Sequence, residues 1–407
     1  MPSLEPIQPR TQPIDSGSED EADPELVELL RQHYGLSGKP NKGAPPETKV
    51  LENAQYVFDN AIDVALSLTH TKDAAETIWR MMQKKAYSTQ TWSEHELHPQ
   101  AKDESTVDFI FTMDLLNFSF WSEHKDEERF AIEYRGQKWT GYWSLVAALQ
   151  RALDEGIPIT TPDFWVNESE CTEEVLRHVF RSATDEEIPL FQERVQCLRE
   201  AGDVLCNEFG GSFANCIDSA NFSAAGLVNL ITESFDCFRD ETVFHGKRVR
   251  LYKRAQILVA DLWACFNGED FGEFNDIDKI TMFADAAPTW MSPLLPPLEN
   301  HIRSLKPLTP GSTWEVELRG TSIWCVELIK REIEKRHPEV KAAGKSDKTD
   351  DIENETPETI TEIDEKPHRT YGINAILIDF FLYDTMKNLE AEHNEGIPHH
   401  RTRSIWY

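Results

Sequence analysis

Apolar residues recur at spacings of three and four along most of this chain, a pattern that predicts amphipathic helices. The segments that carry it are TKVLENAQYVFDNAIDVALSL (48–68), TKDAAETIWRMMQKKAY (71–87), LVAALQRALDEG (145–156), EIPLFQERVQCLREAGDVLCNEF (187–209), AAGLVNLITESF (224–235), RLYKRAQILVADLWACF (250–266), SIWCVELIKREIEKRH (322–337) and NAILIDFFLYDTMKNLEAEH (374–393). Alternation around Arg135-Gly136-Gln137 predicts a single short β-hairpin. The pattern therefore predicts a mainly α fold.

Two acidic segments interrupt this pattern. Residues 1–24 and about 338–368 contain too few apolar side chains to form a core, so we interpret them as a disordered acidic tail and a disordered acidic insertion. Strong apolar patterning resumes directly after the second segment. We therefore expect residues 25–407 to form a single domain from which the insertion loops out.

The charge balance indicates which kinds of binding partner are disfavoured. The chain has 72 acidic and 41 basic residues, for a formal net charge of −31. Such a surface repels phosphate backbones, which disfavours direct binding to nucleic acid or to an anionic membrane. A small anionic substrate would need a local basic pocket. No stretch reaches the apolar length of a membrane span, and the N-terminus lacks the layout of a signal peptide.

The cysteines indicate a reducing compartment. The chain has 7 cysteines, an odd number, and they are widely spaced, with no CxxC pair and no Cys/His cluster of zinc-binding spacing. Most of them lie in apolar helical patterns, which favours buried, reduced thiols. We therefore expect the protein in the cytosol or nucleus, and we predict no metal site.

Carboxylates occur inside three of the apolar runs. Asp261 lies in ILVADLW, Asp285 closes ITMFAD, and Asp379 lies in AILIDFFLYD with Asp384 five residues later. A buried, unpaired carboxylate is costly, so each must be paired, protonated, exposed or functional. Asp379 and Asp384 are about 140° apart on an ideal helix and do not share one face.

Structural explanations compete with functional ones. For Asp261, an ion pair with Lys253 or Arg254 on the same helix is favoured. Asp285 could be the N-cap of a helix that begins near Pro288. Carboxylates beside aromatic residues also suit cleavage of a glycosidic bond or recognition of a cationic heterocycle. No P-loop, GxGxxG after a strand, GxSxG or HExxH occurs, so those enzyme classes lack support.

The C-terminal segment GIPHHRTRSIWY is also unusual, because it gathers basic residues and then ends in apolar aromatics. We expect it to dock against the fold rather than form a free tail. Its arginines could bind a phosphate or neutralise neighbouring acids, and the structural role is favoured.

Several motifs together resemble the queuosine salvage protein family, from about Val50 to Tyr407. They are LNFSFW (116–121), GYWSL (141–145), RALDEGIPIT (151–160), YKRAQILVADLW (252–263), ITMFAD (280–285), SIWCVELI (322–329) and HHRTRSIWY (399–407). The resemblance implies a single helical catalytic domain similar to the helix-hairpin-helix DNA glycosylases. It also implies hydrolysis of queuosine 5′-phosphate, without a cofactor, to queuine and ribose 5-phosphate, so that queuine is recovered for tRNA. The substrate would be the mononucleotide and not tRNA.

The resemblance also assigns roles to individual residues. Asp285 matches the nucleophile or transition-state stabiliser of the family. Its other implied substrate-binding residues are His95 (with His98 as the alternative in the same motif), Phe283, Asp379, Phe380 and Asp384. The candidate cations for the phosphate are Lys253, Arg254, Arg401 and Arg403.

This chain departs from the family at the reactive motif. Family members usually continue FAD with Tyr-Arg-x-Pro-Gln, whereas here Ala-Ala-Pro-Thr-Trp (286–290) follows. The alternative function is therefore a non-catalytic protein that binds queuine or its nucleotide, inactivated by the altered segment after Asp285.

Overall fold

α-Helices dominate the computed structural model, which describes residues 45–85, 87–284, 294–339, 372–391 and 397–407. The helices are α1 (Val50–Asn60), α2 (Leu68–Lys85), α3 (Gln90–Ser93), α4 (Glu104–Leu115), α5 (Tyr142–Asp154), α6 (Pro162–Val166), α7 (Glu173–Val179), α8 (Phe191–Glu208), α9 (Ala214–Ser219), α10 (Ala224–Ser234), α11 (Lys253–Cys265), α12 (Pro296–Arg303), α13 (Thr313–Arg336) and α14 (Ala375–Ala391). The prediction of a mainly α fold is confirmed.

Strands occur only as short pairs within the described residues. They are β1 (Ile132–Tyr134), β2 (Gln137–Trp139), β3 (Glu241–Phe244), β4 (Lys247–Arg250), β5 (Pro307–Leu308) and β6 (Arg401–Thr402). The predicted hairpin is β1–β2, which turns at Arg135 and Gly136 with φ of 51° and 76°. The prediction of only one hairpin is wrong, because β3 and β4 form a second around His245 and Gly246, with φ of 45° and 81°.

Helix α13 is buried over most of its length and packs against α1 and α2. Its close approach to α1 depends on Gly320, because a Cβ atom there would lie 2.6 Å from the side chain of Val57. Helix α11 packs against α4 and α10. The described residues from Pro46 onward belong to one compact unit, Pro46–Tyr407.

Helix α1 is shorter than its apolar pattern predicts, because it ends at Asn60 instead of continuing to residue 68. The buried carboxylate of Glu317, on α13, accepts hydrogen bonds from the backbone N–H groups of Ile62 (3.0 Å), Asp63 (2.7 Å) and Val64 (3.1 Å). These N–H groups would otherwise bond to carbonyls one turn earlier, so Glu317 stabilises the end of the helix.

The C-terminal segment docks against the fold, as predicted. The carbonyl of Tyr407 accepts from the N–H of Ser119 at 2.7 Å, and the indole of Trp121 donates to the carbonyl of Thr402 at 2.8 Å. Strand β6 pairs in parallel with β5, with Leu308 opposite Thr402. These bonds connect the end of the chain to the segment that follows α4 and to β5.

Other predictions concern segments or cysteines. All seven cysteines are free thiols, and six are buried. The predicted tail 1–24 and nearly all of the predicted insertion 338–368 lie outside the described residues. Among the helices that are described, none combines the length and the apolar character that a membrane crossing requires.

Candidate functional site

Asp285 lies outside the described residues, but the segment that leads to it is well anchored. The N–H and the hydroxyl of Thr281 both donate to the buried side-chain oxygen of Gln256 on α11, each at 3.0 Å. The carbonyl of Ala284 accepts from Nε of Arg319, on α13, at 3.1 Å. Two helices therefore fix the backbone up to the residue before Asp285.

Arg319 is the centre of a buried ion cluster. It donates to Asp240 at 3.1 and 2.5 Å and to Glu315 at 3.1 Å, and the side chains of all three are almost fully buried. Burial lowers the pKa of Arg319, but the charges of Asp240 and Glu315 more than compensate, so the pKa lies above its usual value. Asp240 also accepts the backbone N–H of Lys253 at 3.1 Å. The cluster thus connects the start of α11 to the carbonyl of Ala284.

The aromatic pair predicted to contact the base is brought together. The rings of Phe283 and Phe380 lie 5.9 Å apart, with 50° between their planes. Phe283 is buried and Phe380 is half-buried, so the pair lies at the edge of the core. Helix α14 carries Phe380 together with Asp379, which is buried, and Asp384, which is half-buried.

The two candidate histidines occupy different environments. His98 is buried; its Nδ1 lies 2.6 Å from the carbonyl of Trp92 and its Nε2 2.8 Å from the hydroxyl of Tyr142. Burial lowers the pKa of His98 to about 4. His95 is half-buried and stacks on Trp143, with ring centroids 3.3 Å apart. Both nitrogens of His98 are used within the fold, which favours His95 as the ligand-facing residue.

The protonation of His95 follows from a local contact. The N–H of Leu97 donates to Nδ1 of His95 at 3.2 Å, which assigns the proton of the neutral ring to Nε2. Burial lowers the pKa of His95, so the neutral ring is favoured. His95 is therefore suited to donate one hydrogen bond from Nε2.

The expected ion pair between Asp261 and Arg254 is not formed. The guanidinium of Arg254 donates instead to the backbone carbonyls of Asp114, at 3.1 Å, of Leu115, at 2.5 Å, and of Cys237. Asp261 is buried and accepts a hydrogen bond from the side chain of Trp92. Burial raises the pKa of Asp261, which favours its protonated form.

Asp114 is a buried acid that residue-type reasoning did not single out. It is completely buried, and Asn117 donates to its Oδ1 at 3.3 Å. Burial and the neighbouring charge of Asp261 raise its pKa. The sequence marks Asp114 in the same way as Asp261, because Asp114 interrupts the apolar run DFIFTMDLL and Asp261 interrupts ILVADLW.

The four candidate phosphate cations differ in their contacts. The guanidinium of Arg254 donates to three backbone carbonyls. Arg403 donates to the carbonyls of Ser119 (3.0 Å) and Trp121 (2.9 Å), and its guanidinium lies 3.6 Å from the Trp121 ring centroid. Arg401 lies 5.5 Å from the same centroid. The ammonium of Lys253 lies 4.8 Å from the ring centroid of Tyr407.

Comparison with known proteins decides the family. A family model described as queuosine salvage protein matches residues 97–407. The chain belongs to the queuosine salvage protein family. The match begins two residues after His95 and includes all the other implied site residues.

Curated relatives within this family extend the similarity towards the N-terminus. Each of the following is named queuosine 5′-phosphate N-glycosylase/hydrolase. The protein of Nematostella vectensis is 40% identical over 362 residues, which are 88% of this chain and 97% of the relative. The Mus musculus protein is 39% identical over 370 residues, 89% of this chain and 99% of the relative. The Schizosaccharomyces pombe protein is 36% identical over 380 residues, 88% of this chain and 100% of the relative.

Proposed function

We propose that this protein hydrolyses the N-glycosidic bond of queuosine 5′-phosphate and releases queuine and ribose 5-phosphate. The observation that carries the proposal is the similarity to relatives of that name, at 36–40% identity over nearly their whole length. The pairing of Phe283 with Phe380 supports it, because both residues were implied to contact the base.

The reaction needs a negatively charged group beside the anomeric carbon of the ribose, C1′. As the C1′–N bond breaks, its electron pair leaves with the base, which takes up a proton, and positive charge develops on the ribose. The Asp285 carboxylate stabilises that charge, either through space or by a transient bond to C1′. Water then supplies the oxygen that bonds to C1′ and loses a proton. The bonds of Gln256 and Arg319 to residues 281–284 support this role, since they fix the chain directly before Asp285.

The base is held by aromatic rings and acids. Phe283 and Phe380 offer apolar faces to the flat deazaguanine, while Asp379 and Asp384 accept from its ring N–H groups and from the ammonium of its aminomethyl arm. His95, with its proton on Nε2, adds one donor. Of the four candidate phosphate cations, Arg254 and Arg403 donate to backbone carbonyls, which favours a structural role for these two.

The proposal extends to partners, compartment and fold. The net charge of −31 supports a free nucleotide as substrate rather than a nucleic acid. Seven free thiols support a reducing compartment such as the cytosol or nucleus. The family resemblance also predicts a fold like that of the helix-hairpin-helix DNA glycosylases, with which the helical architecture is compatible.

The direct test is chromatography of queuosine 5′-phosphate after incubation with the purified protein. We expect equal amounts of queuine and ribose 5-phosphate. Asp285→Ala should lower the rate by about 100-fold or more, because it removes the charge that stabilises the transition state. The matched control is Asp278→Ala, which removes an exposed acid from the same stretch of chain and should leave the rate unchanged.

Two outcomes would contradict the proposal. Full turnover by the Asp285→Ala protein would refute the role of that residue. Tight binding of queuine by the unmodified protein, with no product after long incubation, would instead support the non-catalytic alternative. The loss of activity would then be attributed to the Ala-Ala-Pro-Thr-Trp segment (286–290).

A further inference from the structure

We propose that Tyr87 is a positioning residue that holds Asp384 in the orientation that recognises the base. The inference rests on the proposed function, because it takes Asp384 to contact queuine. The hydroxyl of Tyr87 donates to Oδ2 of Asp384 at 2.7 Å. Both residues are half-buried, so this bond lies at the boundary between the core and solvent, where a ligand can reach the acid.

The ring of Tyr87 is itself held firmly. Tyr87 follows the C-terminal end of α2, and its N–H donates to the carbonyl of Met82 at 3.1 Å. Its ring packs edge-on against Phe381 of α14, with centroids 5.6 Å apart and 89° between the planes. Phe381 is almost completely buried, so it provides a fixed surface. The phenol is therefore placed by backbone and packing before any ligand binds.

The electrostatics make Tyr87 a permanent donor. Burial, the hydrogen bond to Asp384 and the charges of Asp384 and Asp379 raise the pKa of Tyr87 far above its usual value. The phenol therefore keeps its proton throughout the physiological pH range. It lies close enough for the charges of both acids to act on it. Tyr87 thus bonds to Asp384 and lies within electrostatic range of Asp379, the second carboxylate implied to bind the base.

A single hydrogen bond of this kind leaves Asp384 able to bind a ligand. A carboxylate has two oxygens and about four acceptor sites, and the phenol uses one. The remaining oxygen can accept from a ring N–H or an ammonium group. Because Tyr87 already restricts the Asp384 side chain, less rotamer entropy is lost when the base binds. The expected result is tighter base binding with little effect on the chemical step.

The test is Tyr87→Phe, which removes only the hydroxyl. We expect the KM for queuosine 5′-phosphate and the Kd for queuine to rise about 5- to 10-fold, the loss of one hydrogen bond to a charged group, with kcat changed less than about 2-fold. The matched control is Tyr134→Phe. Tyr134 makes the same kind of bond, to Asp154 at 2.6 Å, on β1 and α5. Loss of the Tyr134 hydroxyl should lower the free energy of unfolding but leave both the KM for queuosine 5′-phosphate and the Kd for queuine unchanged.

A double mutant separates positioning from a direct contact. If Tyr87 acts through Asp384, Tyr87→Phe combined with Asp384→Ala should bind queuine no more weakly than Asp384→Ala alone. Additive losses, or an unchanged Kd in Tyr87→Phe, would overturn the inference. Queuine binding by the unmodified protein without hydrolysis would refute the proposed reaction, and the Kd comparison would still decide the role of Tyr87. A protein that binds neither queuine nor the nucleotide would overturn both.

Discussion

At the scale of single residues, His98 shows how burial alone determines a protonation state. The ring stacks on Trp92, with centroids 3.8 Å apart, and both of its nitrogens have partners within the fold. A charge there would be desolvated and would lie near Lys102 and His95, so the folded-state pKa is about 4. In the unfolded chain the pKa is about 6.5. Between these values the unfolded state binds more protons, so stability falls as the pH falls.

We therefore predict that His98→Gln will weaken the dependence of unfolding on pH. From about pH 6.5 to about pH 5, His98 should account for a loss of about 1.6 kcal/mol in the free energy of unfolding. Urea unfolding of the variant and the unmodified protein at both pH values measures this difference, whatever the absolute stability of the variant. The control is His124→Gln, because His124 is exposed. An unchanged pH dependence in His98→Gln would show that His98 charges freely in the folded protein.

The sequence predicted which acids lie in unusually apolar surroundings, but it did not predict which groups those acids contact. Asp261 and Asp379 were singled out because they interrupt apolar runs, and both are buried. Of the two partners predicted for Asp261, Arg254 was wrong, because it donates to backbone carbonyls instead. Every residue has a carbonyl, so such partners leave no mark on the sequence. The hydrogen bond between Tyr87 and Asp384 could not be predicted either, because the two residues lie far apart along the chain.

At the scale of elements, the segment before Asp285 depends on two helices rather than on its own conformation. Gln256 is fully buried on α11, and its oxygen accepts both bonds from Thr281. Arg319 of α13 holds Ala284 from the other side. The segment contains no regular structure of its own, so these side chains replace the missing backbone bonds.

We predict that Gln256→Leu will lower kcat more than it raises KM. The substitution leaves the N–H of Thr281 without its acceptor in a buried site, whereas the hydroxyl can still donate to the carbonyl of Met282 at 2.8 Å. The loss should cost about 1–3 kcal/mol of stability. A displaced segment should slow turnover about 10-fold or more, because catalysis is sensitive to shifts of about 1 Å. Steady-state kinetics and urea unfolding measure the two effects. Thr281→Val is the control, because it removes one of the two bonds and should have a smaller effect on both. Equal kcat values for all three proteins would show that the anchor does not matter.

Element prediction succeeded where a periodic face was long enough. Each of the eight predicted helical segments contains all or part of a described helix, because its apolar residues recur at helical spacing, whereas helices such as α3, α6 and α9 are too short to show that pattern. The β1–β2 hairpin was predicted because its turn contains Gly136 between alternating residues. The β3–β4 hairpin was missed; its strands have four residues each, and Val243 is 64% exposed, so the alternation does not mark a buried face. The end of α1 was also missed, because Glu317 is distant in sequence.

At the scale of the whole molecule, the C-terminal segment is connected to the segment that follows α4. The C-terminal segment carries Arg403, whose two donors bind the carbonyls of Ser119 and Trp121 in the segment after α4. Its guanidinium also stacks on Trp121. Arg194 of α8 donates to the carbonyls of Leu116 and Phe118 in the same segment. This segment is thus held from two sides by arginines, a structural use of positive charge in an acidic protein.

This arrangement predicts a separation between stability and substrate binding for Arg403→Lys. Lysine keeps the charge that a phosphate would need, but it loses the planar fork that binds two carbonyls and stacks on Trp121. We expect a loss of about 1–3 kcal/mol in the free energy of unfolding, measured in urea, and an unchanged KM for queuosine 5′-phosphate. The control is Arg248→Lys; Arg248 is 59% exposed and pairs with Glu241 at 3.3 Å, and such exposed pairs contribute about 1 kcal/mol or less. If Arg403→Lys instead raised KM and left unfolding unchanged, Arg403 would be a phosphate ligand, and the structural role assigned to its two carbonyl contacts would be wrong.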